Sequence, residues 1–333
     1  MTKTEQQDVN REHNAQEIGG RYAKYVLFIL LIVYIFNFID RQILSILAEE
    51  IKADLGISDS EIGFLYGTAF AVFYAVFGIP LGRLADTWTR KNLIAAGLLF
   101  WSVMTALSGT ARSFGMLATY RIGVGIGEAS ASPAAFSMLA DYFSPKQRAT
   151  VSGIYASGVY IGAGIGIFLG GLILDGWQGI YPNPENSPFN LKGWHVAFFV
   201  VGIPGILMAI WVATIREPIR GISEGLVVPA HPSPFMESWK ELQAMTPLIN
   251  LVGIYRNSQS MIAVYTNLAA LLGITILGYL LIITTGNLAQ WVALGFGVYV
   301  AFSWSQNLRY SCLLYTSDAA DEGLGVDLGG RRI

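Results

Sequence analysis

Residues 62–111 read IGFLYGTAFAVFYAVFGIPLGRLADTWTRKNLIAAGLLFWSVMTALSGTA: two charge-free runs, Ile62–Leu81 and Asn92–Ala111, joined by the short charged segment Gly82–Lys91. About 20 residues at 1.5 Å per residue cross a hydrocarbon core of about 30 Å. Each run is therefore long enough for one membrane-spanning helix. Applied outward, the same test finds charge-free stretches at 149–174 and 193–215, and one at 257–308 long enough for two spans. Two further runs carry charge inside them: 25–48 with Asp40 and Arg41, and 114–140 with Arg121 and Glu128. Six spans precede Arg216, a seventh is expected over 261–283, and a short eighth over 291–305.

Composition agrees. At 53% apolar and 13% charged, the chain falls well below the about 25% charge of soluble domains. A net charge of −2 excludes a nucleic-acid footprint. One cysteine, Cys312, and three histidines, His13, His195 and His231, lack the spacing of a disulfide framework or a metal site. No cofactor or metal is expected, no GxxxxGK[ST] loop implies an ATP-driven pump, and no Ser/His or carboxylate pair is placed for hydrolysis, so the chain does not read as an enzyme. The first run is too long for a signal-peptide core and lacks a small-x-small cleavage site.

Lys and Arg set the orientation. Lys3, Arg11, Arg21 and Lys24, then Arg83, Arg90 and Lys91, then Lys146 and Arg148, then Arg216 and Arg220 alternate with poorer connections, of which 49–61 is acidic. A cytoplasmic N-terminus in the inner membrane follows. Ser58-x-x-Glu61 predicts a capping box opening the second span, and Ser144-Pro145-x-Gln147 one opening the fifth. The organisation reads as a tail over 1–24, a six-helix bundle over 25–215, a cytoplasmic linker over 216–256, an incomplete second bundle over 257–308, and an irregular polar tail over 311–333. Six helices, a long loop and further helices is the arithmetic of a carrier built from two six-helix halves. The expected fold class is therefore an all-α membrane protein, with the rest of the second bundle missing from these 333 residues and transport by this product alone not expected.

Charges inside a span cost several kcal/mol unless paired or hydrated. Arg121 and Glu128 are seven apart, on one helical face, with Gly125 between them. Counting from the span ends places Asp40 about 22 Å in from one side, and Arg121 about 9 Å and Glu128 about 20 Å in from the other. Asp40 and Arg121 thus share a depth at which they can pair, leaving Glu128 near the middle facing the same cavity. Asn37, one turn before Arg41, lines that space or makes an interhelical hydrogen bond. Gly158, Gly162, Gly166 and Gly170, each four apart, give the fifth span a stripe on which another helix can pack closely, and Pro133 and Pro204 are candidate kinks.

The segment Gly82-Arg83-Leu84-Ala85-Asp86-Thr87-Trp88-Thr89-Arg90-Lys91 resembles the signature loop of the major facilitator superfamily: glycine, aspartate four on, then a basic pair before the next helix. Thr89 stands where a second glycine is usual. Arg121–Glu128 and the matching Asp141 and Arg148 share that resemblance. Asn37–Gln42, Ile51–Leu55, Ala69–Phe70 with Phe73–Tyr74, Gly123–Ala129, Asp141–Phe143 and Arg216–Gly221 together resemble the bacterial spinster-like branch over residues 22–221, although His195 stands where that branch usually has arginine. The resemblance implies a proton-driven carrier of a lipid-like or organic-anion small molecule, with Asp40, Arg121 and Glu128 in the central cavity. On that reading Glu128 exchanges a proton while buried against Arg121. Gly82 lets helix ends approach, and Asp86, Arg90, Lys91, Asp141 and Arg148 latch the inner mouth. A non-transporting membrane sensor or interaction protein is the alternative. The ending 311–322 resembles translated sequencing-adapter read-through, which would carry no biology.

Overall fold

The computed structural model describes residues 18–225 and 231–323, and among them every regular element is helical. The chain divides into two compact units, Met1–Glu237 and Ser238–Ile333. Among the described residues, seven helices are long and apolar enough to cross a membrane. Residues 1–17 of the expected tail lie outside the described residues.

In the first unit, helix α1 (Arg21–Leu55) extends the expected span at both ends and stops at Gly56, whose left-handed φ of 63° lets its N–H bond Lys52 O at 2.9 Å. The capping box forms as read: Ser58 Oγ accepts from the Glu61 N–H and the Glu61 carboxylate accepts from the Ser58 N–H, opening α2 (Asp59–Thr87). One π turn, Phe64–Thr68, interrupts α2. Helix α3 (Arg90–Ser108) follows, and α6 (Arg148–Ile180) and α7 (Gly193–Ala213) complete the set with the divided fourth span.

The fourth span is the principal departure from a straight helix. It forms α4 (Phe114–Glu128) and α5 (Ala131–Tyr142), broken at Ala129–Ser130. Pro133 has no N–H to return to the Ala129 carbonyl, and just before it Gly127 O takes both the Ser130 hydroxyl at 2.8 Å and the Ser130 N–H at 3.3 Å. The break falls immediately after Glu128. Pro204, by contrast, sits inside a continuous α7. At the fifth span Gln147 reaches back to Ser144, but no side chain caps the helix, which begins at Arg148 rather than on a full box.

The glycine stripe does pack closely. On α6, Cβ atoms added at Gly158, Gly162, Gly166 and Gly170 would meet α1 at 3.1, 2.5, 3.1 and 3.1 Å, at Gly162 against the Ile35 carbonyl oxygen. On the other side of the helix, Gly164 faces open space. Gly162→Ala is therefore expected to lower stability by about 1–3 kcal/mol through overpacking, whereas Gly164→Ala should be neutral or slightly stabilising. Thermal unfolding of both variants checks this; equal midpoints would mean that the stripe is not a close contact.

In the second unit, α9 (Ile249–Ser258), α10 (Met261–Thr285) and α11 (Leu288–Gly323) join through amides: Asn250 Nδ2 donates to Tyr299 Oη at 3.3 Å and Asn267 Nδ2 to Gln306 Oε1 at 2.5 Å. Two expectations are corrected here. The segment 216–256, read as linker, contains α8 (Pro234–Met245) and α9. The last helix, expected over 291–305, continues to Gly323, so the tail expected to be irregular is helical that far, there being no proline or glycine between Tyr299 and Gly323 to stop it. Residues 324–333 lie outside the described residues.

Candidate functional site

Helices α1, α3 and α4 bring the intramembrane charges together. Arg121 Nη1 donates to Asp40 Oδ1 at 2.8 Å, with side-chain exposures of 1% and 2%. The other Asp40 oxygen, Oδ2, accepts from the Thr105 hydroxyl of α3. The pairing inferred from matched depths is present.

Glu128 is not paired with Arg121. Its Oε2 accepts from Arg41 Nε at 2.8 Å, and its own side chain is fully buried while that of Arg41 is 25% exposed. This corrects the expected partner, for a geometric reason. Asp40 and Arg41 are consecutive on α1, so they point about 100° apart: Asp40 meets Arg121 at the middle of α4, and Arg41 meets Glu128 at its end. Gly125 and Gly127 allow the approach, since Cβ atoms there would lie 2.7 Å from Phe70 O and 2.8 Å from Trp101 Cβ. The Arg41 guanidinium carbon stands 4.9, 4.5 and 5.0 Å from the ring centres of Phe38, Phe70 and Tyr74, a cation–π cage; Tyr34, edge-on to Phe38 at 5.1 Å, stacks on Tyr155 at 4.4 Å. Among the described residues of this cluster, three buried polar atoms have no hydrogen-bond partner: Glu128 Oε1, Asn37 Oδ1 and Arg121 Nε. Unmet groups of this kind, behind a partly exposed guanidinium, mark a place for water, protons or a ligand.

At the end of the unit where α3 begins, a second network gathers most of the residues assigned to gating. Arg90, fully buried, donates to Asp141 Oδ2 at 2.5 Å, Glu217 Oε1 at 2.8 Å, Ser137 Oγ at 2.8 Å and Pro218 O at 3.0 Å. The Glu217 carboxylate also caps α3, accepting from the N–H groups of Arg90 at 3.2 Å and Lys91 at 2.9 Å; Lys91 Nζ reaches Ala213 O. Asp141 Oδ1 accepts from the Gly221 N–H, and Arg148 bonds Glu224, Ser223 and Ala140 O. Arg220 donates to Ala85 O and Trp88 O; burial first, then Arg90, lowers its pKa from the usual range, yet an arginine remains a cation. Two of the residues read as gating stand outside this network. A Cβ at Gly82 would meet nothing within 4 Å, so no helix end approaches closely there. Asp86 is exposed and makes no hydrogen bond or ion pair among the described residues, because α3's backbone donors are already taken by Glu217.

Thr105 and Glu217 were not singled out from composition or depth. Thr105 lies within a charge-free run, and Glu217 carried a signal only as part of Arg216–Gly221. At the opposite end, Asp54 accepts from Trp194 Nε1 at 2.8 Å and pairs with Lys192, fastening α1 to α7; His195 Nε2 stands 3.9 Å away.

A bundle of apolar helices that encloses charged pairs and is tied by glycine stripes defines a multi-pass membrane protein. The Major Facilitator Superfamily family model matches residues 30–311, and the chain belongs to that superfamily. It is 32% identical over 201 residues to an MFS-type efflux pump of Mycolicibacterium smegmatis, covering 60% of this chain and 43% of that one. It is 33% identical over 201 residues to the probable galactarate/D-glucarate transporter GudP of Bacillus subtilis, covering 58% and 41%. It is 28% identical over 206 residues to Protein spinster of Drosophila melanogaster, covering 62% and 32%. Among solved structures, a bacterial homologue of the human lysosomal transporter spinster, in an inward-facing and occupied conformation, superposes with a TM-score of 0.58 at 27% identity, covering 86% of this chain and 74% of that one. The matched region is less than half the length of each of these curated relatives.

Proposed function

We propose that the six-helix unit carries the proton and anion site of a secondary active carrier for small organic anions. The observation that supports this best is Arg41: partly exposed in an aromatic cage, with Glu128 as its one ion-pair partner among the described residues. A carboxylate on an incoming solute competes with Glu128 for the guanidinium. When it succeeds, Glu128 is left buried and uncompensated, which is costly, and a proton on its unbonded Oε1 removes the charge. Anion and proton then move together, and the net charge of the site is unchanged. Relatives named as transporters of galactarate/D-glucarate, L-galactonate and hexuronate favour a sugar acid or similar solute over a lipid-like one.

We place the Arg90–Asp141–Glu217 network at the cytoplasmic mouth, since Arg83, Arg90, Lys91, Arg148, Arg216 and Arg220 collect at that end; the N-terminus is then cytoplasmic. Arg90 and Asp141 fasten the ends of α3 and α5, and the network opens when the two bundles of a complete carrier rock apart.

Binding of D-glucarate to the 333-residue chain in nanodiscs tests the reading. Arg41→Gln should weaken it by roughly 10- to 100-fold, the worth of a charge-assisted hydrogen bond of about 1.5–3 kcal/mol. Unchanged binding would contradict the assignment of Arg41. Vesicles holding this product alone are expected to show binding without gradient-driven accumulation, because alternation takes two six-helix bundles; accumulation would mean that copies of the chain assemble into a carrier.

A further inference from the structure

We propose that Thr105 is a positioning residue that closes Asp40 to protons, so that proton exchange within the charge cluster falls on Glu128 alone. The proposal rests on the proton-coupled reading of this site. Its first support is where the Thr105 hydroxyl points. A threonine inside a helix ordinarily turns its hydroxyl back to the carbonyl four residues earlier, and Thr119, Thr266 and Thr275 do so, bonding Gly115, Ile262 and Leu271 O at 2.8 Å each. Ser108, one turn further along the same helix as Thr105, bonds Met104 O in the same way. Thr105 instead aims across to α1 and gives its single hydrogen to Asp40 Oδ2, in a site where its own side chain is fully buried.

The second support is the contrast between the two carboxylates. Asp40 has a donor on each oxygen, Arg121 on Oδ1 and Thr105 on Oδ2. Glu128 has a donor on Oε2 and nothing on Oε1. On Asp40 each oxygen already receives a hydrogen, one of them from a cation, and hydrogen bonds of this kind hold a carboxylate ionised. A proton reaching Glu128 meets an oxygen with no partner. The charged and titratable groups around the cluster are Tyr34, Asp40 and Arg41 on α1, Tyr74 on α2, Arg121 on α4 and Tyr155 on α6. None of them stands in for the hydroxyl on Oδ2.

Infrared difference spectra of the chain in nanodiscs, recorded as the pH is lowered through neutrality, test this by counting protonated buried carboxyl groups. The parent chain should show one such band, lost in Glu128→Gln. Thr105→Val, which keeps the shape and removes the hydrogen, should double the band area, and the added half should vanish in Thr105→Val combined with Asp40→Asn. Thr105→Ser should restore the single band. A Thr105→Val spectrum with the Glu128 band alone would overturn the proposal; if that variant does not fold, Thr105→Ala is read by the same criterion. A parent band that survives Glu128→Gln would instead sink the proton assignment of Glu128, a separate failure.

Discussion

Arg121→Leu is expected to lower the stability of the six-helix unit by about 3–5 kcal/mol, the cost of leaving one member of a buried pair without its counter-charge. The two side chains are 1% and 2% exposed, so the about 0–1 kcal/mol typical of solvent-exposed pairs does not apply. Thr105 alone cannot neutralise Asp40. Removing the charge from the remaining partner should recover most of the loss: Arg121→Leu with Asp40→Asn is expected to lie much closer to the parent than Arg121→Leu does, a non-additivity that a double-mutant cycle measures directly. Thermal or denaturant unfolding in nanodiscs gives both values. A loss below about 1 kcal/mol in the single variant would mean that water reaches the pair.

Arg90→Met is the second large effect. It keeps the side-chain stem and removes a guanidinium that serves Asp141, Glu217, Ser137 and Pro218 O together. Asp141 keeps the Gly221 N–H, and Glu217 keeps the first N–H groups of α3, but both lose their charge partner. A loss of about 3–5 kcal/mol is expected, accompanied by faster amide hydrogen exchange over residues 216–225. Asp86→Asn should change neither quantity measurably, since Asp86 has no hydrogen-bond or ion-pair partner among the described residues. Comparable losses in the two variants would move the latch back to Asp86.

The spans were legible because absence of charge is a strong signal: no soluble helix leaves twenty positions free of Asp, Glu, Lys and Arg so often in one chain. The Asp40–Arg121 pair was legible too, since two opposite charges at one depth in adjacent spans have few other places to go. What depth could not supply was azimuth. Arg41 sits one residue from Asp40 and therefore at almost the same depth, and only the packed faces of α1, α2 and α4 decide that it turns to Glu128 and into the aromatic cage. The break after Glu128 was half visible in Pro133. At the break the Ser130 hydroxyl and N–H both take the Gly127 carbonyl, a local arrangement with no distinctive pattern in the sequence. Thr105 illustrates the remaining gap: a hydroxyl in an apolar run usually satisfies its own helix, and nothing in the order of residues says that this one does not. The short helices α8 and α9 were hidden for a related reason, as mixed charges and prolines 232 and 234 read as a connection.

The central claim is that a solute anion and the Glu128 carboxylate compete for one guanidinium. Its most direct measurement is the protonated-carboxyl infrared band of the 333-residue chain at fixed, near-neutral pH, with and without saturating D-glucarate. The band should grow when the anion binds, and this growth should be absent in Glu128→Gln and in Arg41→Gln. Binding with no change in the band would contradict the claim.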